Sequence, residues 1–368
     1  MKFFLGCSNC FSSETIATSR PAGEQKHGNL LIFSRDELRV ATQDFSSSNK
    51  IGEGGFGSVY KGRLQDGSFV AVKVLSVEIE SMRGEREFIS ELAALSDVKH
   101  ENLVTLQGCC VDGASRYLVY EYLENNSLSQ TLLGKEQNRT KFSWEARRDI
   151  SVGVARAIAH LHEEVRPRIL HRDIKASNIL LDQNFKPKVS DFGLSRMLRD
   201  DTSHVSTRVA GTLGYLAPEY AVSGHLSRKA DVYGFGVLLL EIISGRSAVD
   251  FDLEHGEHYL VQKAWEFYNA NNLVQIVDPV LNRNFPEAEA ARFLKVGLLC
   301  VQENVKHRPH MSKVVGMLNN EIDIRDVRIS EPGLLSDLTD IRLRQRNSTQ
   351  STSSRGSTST SVPTSTYF

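Results

Sequence analysis

The sequence predicts an α+β protein of two lobes, a small β-rich one followed by a larger helical one. Three observations carry the prediction. Residues 45–73 alternate with period two around glycine and Asp-Gly turns, as in SVYKGRLQDGSFVAVKVL, which is a hairpin pattern. Beyond them helical periodicity dominates, over 86–95, 150–161, the apolar run ending at 243, and 288–301. The chain's 368 residues, at about 150 per domain, suit two units or one large bilobal one.

Along the chain, residues 1–32 read as a flexible segment, since 12–32 are polar and carry Pro21, Gly23 and Gly28. FSRDEL then opens an entry unit over 33–44. Ser34 and Glu37 form a capping box and Phe33 faces Leu38 as a staple, so a helix is expected over 35–42. The main domain spans 45–322. Its helix at 150–161 places Ile150, Val154, Ile158 and Leu161 on one face. In the tail, 323–368, the residues from about 347 are mostly Ser and Thr with little apolar surface to bury, and disorder is expected there. No internal repeat is evident.

Composition narrows the function classes. Hydrophobic residues make up 40% and charged residues 24%, enough for a sizeable core. A net charge of −1 gives no global bias toward nucleic acid, and no nucleic-acid partner is expected. Five cysteines do not make a disulfide framework; Cys109, Cys110 and Cys300 lie in apolar stretches and read as reduced core thiols of a reducing compartment. The longest apolar run, 232–243, is broken by Glu241 and falls short of the roughly 20 residues that a membrane span needs.

Four motifs carry chemistry. IGEGGFGSV sets Gly52, Gly54 and Gly57 in a GxGxxG spacing. A dinucleotide site would need a helix directly after the glycines, whereas a strand follows here, so the loop reads as a hairpin lid whose N–H groups approach phosphate oxygens. In VAVK, Lys73 alternates with apolar neighbours on a strand; a half-buried ammonium needs a partner, and Glu91 in EREFISELAAL supplies one. LHRDIKASNILLD is the most specific stretch: Asp173 is placed to orient and accept the proton of an attacking hydroxyl, and Asn178, five residues on, returns around the loop to hold a metal ion. SDFG places Asp191, one hard carboxylate suited to Mg²⁺ shared with phosphates, ahead of Ala217-Pro218-Glu219.

With these motifs in this order, residues 45–322 resemble the eukaryotic protein kinases. The stretches GCCVDG, LVYEYLENNSL, LHEEVRPRILHRDIKASNILLD and HVSTRVAGTLGYLAPEYAVSGHLSRKADVYGFGVLLLEIISGR are similar to plant receptor-like kinases of the Pelle type, in particular their cytoplasmic subgroup. The resemblance implies the two-lobed kinase fold with ATP between the lobes. ATP would contact Ile51, Gly52, Glu53, Gly54, Gly55, Phe56, Gly57, Ser58, Val59 and Ala71. Lys73, paired with Glu91, would hold the phosphates, and the main chain of Glu121 and Leu123 would take the adenine. Asn178 and Asp191 would hold two Mg²⁺, Asp231 would brace the HRD backbone, and Glu219 with Arg308 would be a scaffold ion pair. Lys175 and Thr212 imply transfer to Ser and Thr hydroxyls of protein substrates, with Asp173 and Lys175 catalytic.

Arg172 and Arg196 flank the activation segment, and a phosphate there, with about −1.5 to −2 charge, would suit the two guanidiniums. Ser206, Thr207 and Thr212 are the candidate regulatory phosphosites, ahead of Thr202 and Ser203. Two departures stand out. The stretch SVEIESMRGEREF before Glu91 is long, which loosens the Lys73 to Glu91 register, and Gly234 stands where a serine is common. A pseudokinase is disfavoured because Lys73, Asp173 and Asp191 are all present. A dinucleotide oxidoreductase is disfavoured by the strand after the glycines.

The chain opens MKFFLGCSNC. Its apolar patch is too short for a signal peptide, and Lys2 replaces the glycine that myristoylation needs. S-acylation of Cys7 and Cys10 is the candidate anchor, two chains sufficing where one is marginal. The expected location is cytoplasmic, at the inner face of the plasma membrane, beside a membrane receptor kinase.

Overall fold

The computed structural model describes residues 26–27, 30–54, 57–76, 83–252 and 256–334. The smaller lobe is built on a seven-stranded sheet of β1 (Lys26–His27), β2 (Leu30–Ile32), β3 (Lys50–Gly54), β4 (Gly57–Arg63), β5 (Phe69–Ser76), β6 (Leu106–Asp112) and β7 (Ser115–Glu121). Their order is β1-β2-β6-β7-β5-β4-β3. Every pairing is antiparallel except β2 with β6.

Central β5 shows why the period of two matters. Val70 and Val72 are fully buried on one face, against Leu38, Cys110, Tyr117 and Val119. Ala71 and Lys73 point the other way, toward the second lobe. Leu38 comes from α1 (Arg35–Ala41), whose capping box forms between Ser34 and Glu37: Glu37 N donates to Ser34 Oγ at 3.2 Å and Ser34 N to Glu37 Oε2 at 2.7 Å. Phe33 packs against the same cluster. Helix α2 (Arg83–Leu95) packs against β5 and β7.

The larger lobe contains α3 (Glu136–Arg139), α4 (Trp144–Ala159), β8 (Arg168–Leu170), β9 (Ile179–Leu181), β10 (Pro187–Val189), β11 (Arg196–Leu198), β12 (Val205–Ser206), α5 (Pro218–Ser223) and β13 (His225–Leu226). Then follow α6 (Arg228–Ser244), β14 (Val249–Asp252), β15 (Gly256–Tyr259), α7 (Leu260–Asn269), α8 (Glu287–Cys300) and α9 (Met311–Leu318). The strands form short antiparallel pairs, β8 with β11, β9 with β10, β12 with β13 and β14 with β15. Helix α6 is buried without a break from Ala230 to Ser244, so it has no polar face. Each fully buried Leu or Phe along it contributes about 2 kcal/mol, and α4, α7 and α8 pack around it. Its ends are set locally, by Ser227 accepting Lys229 N and by Gly245 in the left-handed region.

Two boundaries differ from the sequence reading. Leu30–Ile32, assigned above to the linker, forms β2 and extends the sheet, with Leu30 buried. Gly108 makes this possible, since a Cβ there would stand 2.2 Å from the Leu31 carbonyl oxygen. At the other end, residues 319–334 are packed structure: Ile324 and Ile329 are buried and Gly333 N donates to Val301 O at 3.0 Å. Cys109, Cys110 and Cys300 are buried thiols, and burial pushes Cys110 and Cys300 up to about 12. Among the described residues no helix is long and apolar enough to cross a membrane. Cys7, Cys10, Gly55, Phe56 and the tail from 335 lie outside the described residues.

Candidate active site

A cleft of about 470 Å³ separates the lobes. Its roof is the β3–β4 hairpin, in register Gly52 to Val59 and Gly54 to Gly57. Gly57 is obligatory: its φ is 139° and a Cβ would lie 2.0 Å from Val74 O. Ile51, Gly52, Glu53, Gly57, Val59 and Ala71 line the roof and back wall; Ser58 does not, because it alternates away. Glu121 and Leu123 line the connection between the lobes. Glu121 is itself pinned, Oε1 accepting Thr105 N at 2.8 Å and Lys188 Nζ at 2.9 Å.

Lys73 reaches into the cleft from β5. Its Nζ lies 2.6 Å from Glu91 Oε1 and 3.0 Å from Asp191 Oδ1, so the long stretch before α2 leaves this register intact. Burial opposes the ammonium, but the carboxylates of Glu91 and Asp191 outweigh it and hold Lys73 above its ordinary value. Asp191 is held below its ordinary value although burial pushes the other way, because Lys73 stabilises the anion. Asp191 takes φ 66°, and Phe192 behind it is fully buried, its ring 4.7 Å from that of His171 in an edge-to-face contact. The second oxygen of Glu91 accepts the Tyr120 hydroxyl.

The floor is the segment between β8 and β9. Asp173 accepts Thr212 Oγ1 at 2.7 Å on one oxygen and lies 2.7 Å from Lys175 Nζ on the other, while Lys175 donates to Thr212 Oγ1 at 2.8 Å. Asn178 Nδ2 donates to Asp173 O at 2.8 Å and Asp173 Oδ2 at 3.1 Å. That leaves the Asn178 amide oxygen as a hard acceptor, with the anionic Asp191, in the same cleft. The donor set fits Mg²⁺, which takes one or two protein oxygens and phosphate.

Helix α6 carries the floor. Asp231 Oδ2 accepts His171 N and meets His162 Nε2, each at 2.8 Å, and Oδ1 accepts Arg172 N at 2.8 Å. Glu241 takes the Tyr215 hydroxyl on both oxygens at 2.7 Å and Ala248 N at 2.8 Å. Arg308, fully buried, grips Glu219 with two bonds of 2.8 and 2.9 Å.

Sequence reasoning missed three contributors. Tyr120 had a signal, since a tyrosine inside an apolar strand needs a partner for its hydroxyl. His162, 69 residues from Asp231, had none. Glu87 sits one turn before Glu91, beneath Gly193, with both carboxylate oxygens buried; burial pushes it up to about 7 against the pull of Lys73 and Arg83.

Of the regulatory candidates, Ser206 is exposed in β12 opposite His225, and Thr207 N donates to Gly224 O at 3.0 Å. Arg172 donates to Leu194 O at 2.9 Å, to Arg208 O at 2.8 Å and to the Tyr220 hydroxyl at 2.5 Å, while its Nε is buried with no hydrogen-bond partner among the described residues. Arg196 is held below its ordinary value by burial and by the neighbouring Arg172 and Arg86. Thr202 and Ser203 are exposed beyond this group.

The family model described as protein kinase domain matches residues 45–317. The chain is 54% identical over 342 residues to cold-responsive protein kinase 1 of Arabidopsis thaliana, covering 92% of this chain and 87% of that one. A putative serine/threonine-protein kinase of Helianthus annuus is 61% identical over 242 residues, 65% of this chain and all of the other. A probable LRR receptor-like serine/threonine-protein kinase of Arabidopsis thaliana is 52% identical over 305 residues, which cover 83% of this chain and 29% of that longer protein.

Proposed function

This chain belongs to the protein kinase family and is a serine/threonine protein kinase, and on that premise we propose how its own residues carry the transfer. Asp173 orients the attacking hydroxyl and accepts its proton. Lys175 neutralises charge on the transferring phosphoryl group, with Thr212 fixing the two side chains relative to each other. Lys73, held by Glu91, binds the α- and β-phosphates of ATP, the glycine-rich roof covers them, and the main chain of Glu121 and Leu123 takes the adenine. Asn178 and Asp191 would hold Mg²⁺, which when bound neutralises phosphate charge.

The observation that carries this reading is the closed triangle of Asp173, Thr212 and Lys175, with Lys175 lining the same cleft as Lys73 and Asp191. Label transfer from γ-labelled ATP to casein, abolished by Asp173→Asn, is the expected result. Equal transfer by both proteins would overturn it.

Phosphorylation of Ser206 or Thr207 activates the enzyme in this reading. Arg172 and Arg196 gather positive charge next to Arg208, the neighbour of Thr207, and an anion there relieves their mutual repulsion. A phosphate on Thr212 acts oppositely, since its hydroxyl already serves Asp173. Signalling is receptor-proximal, in stress or immune responses: relatives carry cold-responsive and receptor-like kinase names, and a membrane receptor kinase is the natural partner. S-acylation of Cys7 and Cys10 would hold the enzyme at the inner face of the plasma membrane.

A further inference from the structure

We propose that Lys61 is a positioning residue for ATP: through the ring of Tyr122 it sets the main chain between Glu121 and Leu123 that takes the adenine. The proposal rests on the kinase reading above. Its basis is a slot of two aromatic rings closed on one ammonium. Lys61 Nζ stands 4.3 Å from the ring centroid of Phe69 and 4.3 Å from that of Tyr122, and the two centroids are 6.2 Å apart with the rings tilted by 51°. The Arg63 guanidinium lies farther out, 5.9 Å from the Phe69 ring. Among the described residues Lys61 makes no ion pair, so within the fold its charge meets ring faces, which attract a cation through their quadrupole.

Strand register brings the three side chains together. Lys61 pairs with Ala71 and Arg63 with Phe69 across β4 and β5, and Ala71 pairs in turn with Tyr120 of β7. Lys61 is two residues past Val59 and Phe69 two before Ala71; because Val59 and Ala71 line the cleft, Lys61 and Phe69 share the cleft-facing side of the sheet. Tyr122 is the first residue past β7, in the connection between the lobes. None of the three lines the cleft itself, so they act on a nucleotide through the backbone they hold. The neighbouring anchor pulls the other way. Glu121 Oε1 accepts Thr105 N at 2.8 Å and Lys188 Nζ of β10 at 2.9 Å, and Leu123 is buried. Residue 121 is thus tied to the larger lobe and residue 122 to the smaller one. Core packing does not ask for this arrangement, since Phe69 is 49% exposed.

A main chain already set for adenine binds it without first being ordered. When only a fraction of the molecules hold the competent conformation, the apparent dissociation constant rises by the inverse of that fraction. At an exposed site each ring contact is worth about two- to fivefold, and the charge makes two of them. The loss therefore falls on ATP affinity and not on transfer, because Asp173, Thr212 and Lys175 hold one another in the larger lobe. Lys61→Met keeps the length of the stem and removes the charge. Lys61→Arg keeps a charge that also stacks on rings.

In the full chain with Mg²⁺, γ-labelled ATP and casein, Lys61→Met should raise KM for ATP by about 3- to 10-fold and leave kcat within about twofold. Lys61→Arg should stay within about twofold of the wild type in both. Fluorescence titration with N-methylanthraniloyl-ATP, which needs no turnover, should show the same shift in Kd. On a Tyr122→Leu background, Lys61→Met should add less than about twofold. An unchanged KM and Kd in Lys61→Met, or an arginine variant as impaired as the methionine one, would overturn the proposal. So would losses that multiply in the double variant, since the lysine would then act without Tyr122. If Lys61→Met matches a wild type that binds the analogue and labels casein, the positioning role fails and the kinase reading stands; a wild type that does neither would sink both.

Discussion

Asp231 accepts the backbone N–H of Arg172 at 2.8 Å, and Arg172 is held there in the left-handed region, at φ 74°. A non-glycine residue in that region stores about 1–3 kcal/mol of strain, and it persists only because the surroundings fix it. Asp231 is kept anionic although burial opposes the charge, chiefly by His162. Replacing Asp231 by Asn keeps the shape and removes the charge that holds His162 and both backbone donors. Activity should fall by about 10- to 100-fold in kcat. Unfolding free energy in urea should drop by about 2–4 kcal/mol. Wild-type turnover in a destabilised variant would show that the brace serves folding alone.

The Tyr120 hydroxyl and Lys73 share one buried carboxylate, that of Glu91. Tyr120→Phe should lower kcat/KM for ATP by about 5- to 30-fold, because one oxygen of Glu91 loses its donor in a dry site. A cycle with Glu91→Gln should give a coupling of about 1–2 kcal/mol. Additive losses would mean that the tyrosine acts independently of the ion pair.

Thr212 joins Asp173 and Lys175 through one oxygen atom. Thr212→Ala should cut kcat by about 10- to 100-fold with little change in KM for ATP. Thr212→Ser, which keeps the hydroxyl, should recover most of the loss. Failure of the serine variant to recover would assign the effect to the methyl group and its packing.

Glu241 supplies a pH dependence. Burial pushes its carboxyl up to about 8 from 4.5, against the pull of Tyr215 and Ala248 N. The folded state therefore binds more protons than the unfolded state between those values. Stability from this group is full at low pH, falls as pH rises through the window and is lost above about 8, at up to about 1.4 kcal/mol per pH unit. Urea unfolding between pH 5.5 and 8.5 should show a shallower decline for Glu241→Gln than for the wild type. Parallel curves would place the titration elsewhere.

How much of this was legible in the sequence follows from the kind of contact involved. Residues whose spacing is local could be read: the Ser34–Glu37 box lies within one turn, and Asp173 and Asn178 share one loop. Strands β6 and β7 passed unread because LQGCCVD and SRYLVYE are apolar on both faces, which blurs the period of two. The strand at Leu30–Ile32 was missed for a different reason. Its evidence is a parallel pairing with residues 108–109, and the cue is an absent side chain at Gly108. Long-range partners such as His162 with Asp231 or Tyr215 with Glu241 leave no local pattern.

Helix α6 gives the site its lifetime. Asp231, Tyr233 and Glu241 hang the His171–Arg172 backbone, the segment 319–334 and Tyr215 from one rod that is buried from Ala230 to Ser244. Amide protons along such a rod exchange with solvent only when the whole domain opens, not by local fraying. The geometry at Asp173 is thus renewed at the rate of global unfolding, while loops around it can open and close many times on the same undisturbed frame.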